Sequence, residues 1–157
     1  MRNKLSCVIA LVFAFALFLS VGTANANSKD FLQLAKKEFD QAKYEKAIAY
    51  LKQELALRIK KYGEIHTDTA HVYNNIATAL FKKGELNRAI EFYQKVVKIL
   101  EQIDSKHPKL SETYLSIALV FKQKGDRLKS REMALLAIKT AENSMGANSS
   151  LAMHVKK

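Results

Sequence analysis

Apolar residues recur along most of this chain at steps of three and four. Phe31, Leu34, Ala35 and Phe39 keep that step, as do Tyr73, Ile76, Ala77, Leu80 and Phe81, and later Tyr114, Ile117, Ala118 and Phe121. A second run follows each: Ala47, Ile48, Leu51 and Leu55; then Ala89, Ile90, Tyr93, Val96, Val97 and Leu100; then Met133, Leu136, Ala137 and Thr140. A period near 3.6 places each set on one face of a helix, where a half-buried strand would alternate. The pattern predicts an all-α chain of paired helices. Gly84 and Gly125 stand after the first helix of their pairs, where a helix end takes a residue tolerant of positive φ. Thr67-Asp68 and Pro108 stand where the next helix begins. Asp68 suits a cap or a first-turn acid, and Pro108 is tolerated at a first helical position.

The pairs repeat. At a shift of 41, His66 falls on His107, Tyr73 on Tyr114, Ile76-Ala77 on Ile117-Ala118, and Lys83-Gly84-Glu85 on Lys124-Gly125-Asp126. At a shift of 42, Ala35 falls on Ala77, Ala42 on Gly84 and Ala47-Ile48 on Ala89-Ile90. Ala35, Ala77 and Ala118, with Ala47, Ala89 and Ser130, keep the two helices of each pair close. One helical hairpin cannot bury its apolar face alone, so the copies must stack into a solenoid.

Tyr73-x-x-Ile76-Ala77, Gly84-x-Leu86-x-x-Ala89 and Tyr93 resemble the tetratricopeptide repeat. Tyr114-x-x-Ile117-Ala118 with Gly125, and Leu34-Ala35 with Tyr44 and Ala47, extend the likeness. The usual unit is about 34 residues long. The longer period here, with Tyr62-Gly63-Glu64-Ile65-His66, Asn74-Asn75-Ile76-Ala77 and His107-Pro108, is similar to the kinesin-light-chain variant. The resemblance implies about three hairpins, near residues 29–65, 66–106 and 107–146. Arg127 and Ser130 depart from it, standing where an aromatic and an alanine are usual; the third hairpin is either looser or uses its outer face. Residues 149–155 continue the 41-residue register, which predicts a short stub helix within 147–157. That stub either caps the last hairpin or docks on another copy or a partner.

The N-terminus reads as an address. Arg2 and Lys4 precede an unbroken apolar run from Val8 to Leu19, and Ala24-Asn25-Ala26 follows. That order is a secretory leader, with cleavage expected after Ala26 and a retained anchor as the alternative. Either exports the remainder, to a periplasm or to the outside. Cys7, the single cysteine, lies before the apolar run, so it is no lipidation site and residues 27–157 are free of cysteine.

Net charge is +11, and the loss of Arg2 and Lys4 leaves +9. Of 26 basic residues 21 are lysine, whereas arginine is the better planar phosphate ligand. Lysines spread over every helix read as a solvated surface, or as contact with an anionic membrane or another polyanion. Without base-stacking signatures, an exported chain of this kind predicts no nucleic-acid partner.

Little chemistry is visible. His66-x-Asp68-x-x-His71 spaces its histidines by five, which places them off one helix face, so no metal is expected. There is no glycine-rich phosphate loop, and the carboxylates neighbour lysines. Neither catalysis nor a cofactor is expected. The resemblance instead implies a concave groove that takes an extended segment of a partner protein. Its walls would be Lys29, Leu32, Gln33 and Lys36, then His71, Asn74, Asn75, Thr78 and Lys82, then Glu112, Leu115, Ser116, Leu119 and Gln123. An amide both donates and accepts, which suits Asn74 and Asn75 to a peptide backbone. The family's chaperone-tail clamp uses Lys, Asn, Asn, Lys and Arg; here Leu32, Lys36, Asn75, Glu112 and Ser116 stand there, so no C-terminal carboxylate ligand is expected. Self-association through the C-terminal repeat is the competing reading.

Overall fold

The computed structural model describes residues 28–145. The expected leader (1–26), the expected stub helix (147–157) and the side chain of Lys29 lie outside the described residues. Six helices run in order: α1 (Ser28–Asp40), α2 (Tyr44–Tyr62), α3 (Thr67–Lys83), α4 (Leu86–Ile103), α5 (Lys109–Gln123) and α6 (Arg127–Met145). Among the described residues there is no strand, and no helix is long and apolar enough to cross a membrane. Each helix packs on the next, giving three hairpins stacked as a solenoid.

The short joints within hairpins share one device. Lys43 N–H donates to Glu38 O, Glu85 N–H to Leu80 O and Asp126 N–H to Phe121 O, at 2.9, 2.9 and 3.0 Å. That closure needs a left-handed residue just before the donor. Gly84 and Gly125 supply it at φ 91° and 81°, while the first hairpin uses Ala42 at φ 56°.

The longer joints between hairpins are capped by histidine. His66 Nδ1 accepts from Asp68 N–H at 3.1 Å, and His107 Nδ1 accepts from Lys109 N–H at 3.2 Å. Asp68 is therefore the first-turn acid of α3, not its cap. Pro108 stands one place before α5 with helical φ, −56°. Tyr73 and Tyr114 reach back across these joints and donate to Glu64 and Glu101.

One apolar core runs through all three hairpins. Ala35, Leu51, Ile76, Leu80, Ala89, Tyr93, Ile117 and Val120 belong to it. A second cluster, of Ala70, Tyr73, Val96, Ile99, Leu100 and Leu110, seats α3 and α5 on α4. Each fully buried Leu or Ile contributes roughly 1.5–3 kcal/mol. Ala47, Ala77 and Ala89 have no exposed surface, as close helix approach demands. Ser130 keeps the third hairpin equally close, because its hydroxyl donates to Ala118 O at 2.9 Å.

Candidate partner-binding groove

The first helices of the hairpins, α1, α3 and α5, line one face, with α2 and α4 behind them as floor. Two hollows open there. The first, about 350 Å³, lies between α1 and α3 over Leu51, and is walled by Leu32, Ala35, Lys36, Phe39, His71, Asn75 and Thr78. The second, about 280 Å³, lies between α3 and α5 over Val96 and Leu100, and takes in His71, Asn74, Lys109, Glu112 and Ser116. His71 belongs to both and joins them.

Successive helical residues turn by about 100°, so Asn74 and Asn75 serve different hollows. Both are half-buried, and among the described residues neither amide makes a side-chain hydrogen bond. Their donors and acceptors are available to a ligand backbone. The first hollow is apolar apart from Lys36, His71, Asn75 and Thr78; the second mixes Lys109 with Glu112.

Two residues expected as groove contacts carry structural bonds. Thr78 Oγ1 donates to Asn74 O at 3.0 Å and lies 3.0 Å from the hydroxyl of Tyr93. The same phenol also hydrogen-bonds Ser116, which donates to Glu112 O at 3.0 Å. Tyr93, reaching forward from α4, thus ties α3 to α5 beneath the groove. Burial pushes its phenol up, while the Thr78 and Ser116 bonds pull it the other way.

Loss of hydration, and then the Lys109 ammonium, hold His71 below the ordinary imidazole value, with Asp68 opposing. Gln33, Lys82, Leu115, Leu119 and Gln123 border neither hollow; all are exposed except Leu115, which is half-buried. Phe39, Leu51 and Lys109 do border them and were not expected. Phe39 sits on the same stripe as Ala35, and Lys109 follows Pro108 at the start of α5, so both were within reach of the repeat register.

The histidine pair is split. His66 is spent on capping α3 and His71 stands in the groove, and no group of three or more metal-ligating side chains gathers among the described residues.

Comparison with known proteins agrees with this architecture. The tetratricopeptide-repeat profile matches residues 23–102 and 68–143. A curated relative, Protein REDUCED CHLOROPLAST COVERAGE 2 of Arabidopsis thaliana, is 30% identical over 82 residues, 52% of this chain. The chain spans only 4% of that protein's length. Among solved structures, BtubC (BKLC) from P. vanneervenii superposes with TM-score 0.68 at 21% identity, over 81% of this chain and 50% of that one. A kinesin light chain of nearly identical TPR-like repeats from P. anserina gives TM-score 0.66 at 17% identity, over 82% and 61%. The chain belongs to the tetratricopeptide-repeat family, whose members in general are non-catalytic scaffolds for protein–protein contact.

Proposed function

We propose that this protein is an exported adaptor that holds an extended segment of a partner protein along the face of α1, α3 and α5. The observation that carries this reading is the pair of adjacent amides, Asn74 and Asn75, each lining one of two hollows that meet at His71 and neither making a side-chain hydrogen bond among the described residues. An extended strand laid across the helices meets backbone partners on both sides of that ring. The apolar hollow over Leu32, Phe39 and Leu51 takes an apolar side chain of the segment, and the mixed hollow beside Lys109 and Glu112 takes a polar one.

Export is supported by Arg2 and Lys4, the apolar run from Val8 to Leu19, and Ala24-Asn25-Ala26. The working form begins at Asn27, in a periplasm or outside the cell. The test pairs mass spectrometry of the isolated N-terminus with crosslinked pull-down from envelope extract. Asn75→Ala and Asn74→Ala should lose the captured protein at unchanged melting temperature. Equal capture by both variants would sink the groove reading, and an N-terminus at Met1 in the cytosol would sink export.

A further inference from the structure

We infer that the outer face of α6 docks a second copy of this chain, helix against antiparallel helix. The face carries Leu128, Arg131, Glu132 and Leu135, all exposed. Leu128 is 85% exposed and Leu135 56%. The internal repeat shows what ordinarily stands there. The residues equivalent to the two leucines are Asn87 and Gln94 in the middle hairpin and Glu45 and Lys52 in the first, all polar and exposed, while Arg131 stands where Ile90 and Ile48 are buried. Asn87 meets the following hairpin through Lys124, and Gln94 lines the hollow that α4 shares with α5 and α6. This side of a second helix therefore looks toward a neighbour. In α6 alone leucines stand at these two positions, beside Arg131 and Glu132, and leucines held in water invite cover.

The order of charges says what the cover is. At about 100° per residue these four side chains, with Lys139 and Glu142 farther along α6, fall within an arc of about 100°. A two-fold axis between Arg131 and Glu132 sets Leu128 against Leu135 of the partner subunit, and Arg131 against Glu132 of the partner subunit. Apolar meets apolar, and cation meets anion, at both ends. That self-complementarity is what a two-fold contact requires. Sliding the helices until Leu135 meets Leu135 of the partner subunit breaks it, since Arg131 then faces Lys139 of the partner subunit and Leu128 faces Glu142 of the partner subunit. Two leucines a side bury little area, so the dimer dissociates on dilution.

The test is sedimentation equilibrium over a range of concentrations, on protein expressed from the complete sequence. Three variants accompany it: Leu128→Asn with Leu135→Gln, Arg131→Glu, and Arg131→Glu with Glu132→Arg. All four positions are exposed, and circular dichroism checks that each variant folds. The unaltered chain should dimerise reversibly, and the leucine variant should be a monomer. Arg131→Glu should raise the dissociation constant about tenfold or more, because it faces like charges at both ends. The charge swap should restore it. A monomer at every concentration overturns the proposal, including one whose melting temperature falls with the leucine change because residues after Met145 cover the stripe. A dimer indifferent to Arg131→Glu, or a swap that fails to restore it, also overturns it.

Discussion

Arg58 of α2 donates to Asp68 of α3 at 3.0 Å, and its Nε lies 2.5 Å from Glu54, whose side chain is wholly buried. One guanidinium thus joins the first hairpin to the second. The bond to Glu54 raises the guanidinium pKa further, against the opposing effect of its own burial. It ties the C-terminal part of α2 to the first turn of α3.

Removing that guanidinium should hurt far more than a surface charge loss. Arg58→Met is expected to cost about 3 kcal/mol, because Glu54 loses its cation inside the protein. Glu54→Leu combined with Arg58→Leu should recover most of the loss, since an apolar pair has no charge to desolvate. Urea denaturation of the three proteins checks this. A double variant no more stable than Arg58→Met would contradict it.

Ala42 occupies the place of Gly84 and Gly125 at φ 56°. A left-handed conformation costs an L-residue about 1–2 kcal/mol, part of which glycine gives back through its freer unfolded state. Ala42→Gly should stabilise by about 0.5–1 kcal/mol. Gly84→Ala should destabilise by about 1 kcal/mol through the backbone alone, as a Cβ there meets nothing within 4 Å. Thermal melts of both variants shifting in the same direction would contradict the account.

Tyr73 and Tyr114 should titrate late. Burial, and then the bonds to Glu64 and Glu101, push both phenols from 10.0 up to about 12. Between those values the unfolded chain has lost protons that the folded one keeps, so stability falls as pH rises through that window. Tyrosinate absorbance should show both phenols ionising late, and Tyr73→Phe with Tyr114→Phe should remove that late phase and flatten the alkaline loss of stability. All six tyrosines of the folded chain ionising together near their ordinary value would refute it.

Much of the fold was legible because a repeat states each structural need more than once. His66 with His107, Tyr73 with Tyr114, and Gly84 with Gly125 mark the joints in the sequence itself. What a periodic pattern leaves out is the roll of each helix about its axis. Glu54 sits on an apolar stripe and reads as a surface carboxylate until α3 brings Asp68 to Arg58. Thr78 and Ser116 read as groove contacts until Tyr93 arrives from α4 to bind them from below. Ala42 stood in the glycine register, yet only its φ reveals the strain.

The most direct test of the central claim is photo-crosslinking in envelope extract, with a photoreactive residue placed at Asn75, at Glu112, or at Lys98 on the opposite face. The account predicts the same partner adduct from positions 75 and 112 and none from 98. Adducts from position 98 alone, or none from 75 and 112, would contradict it.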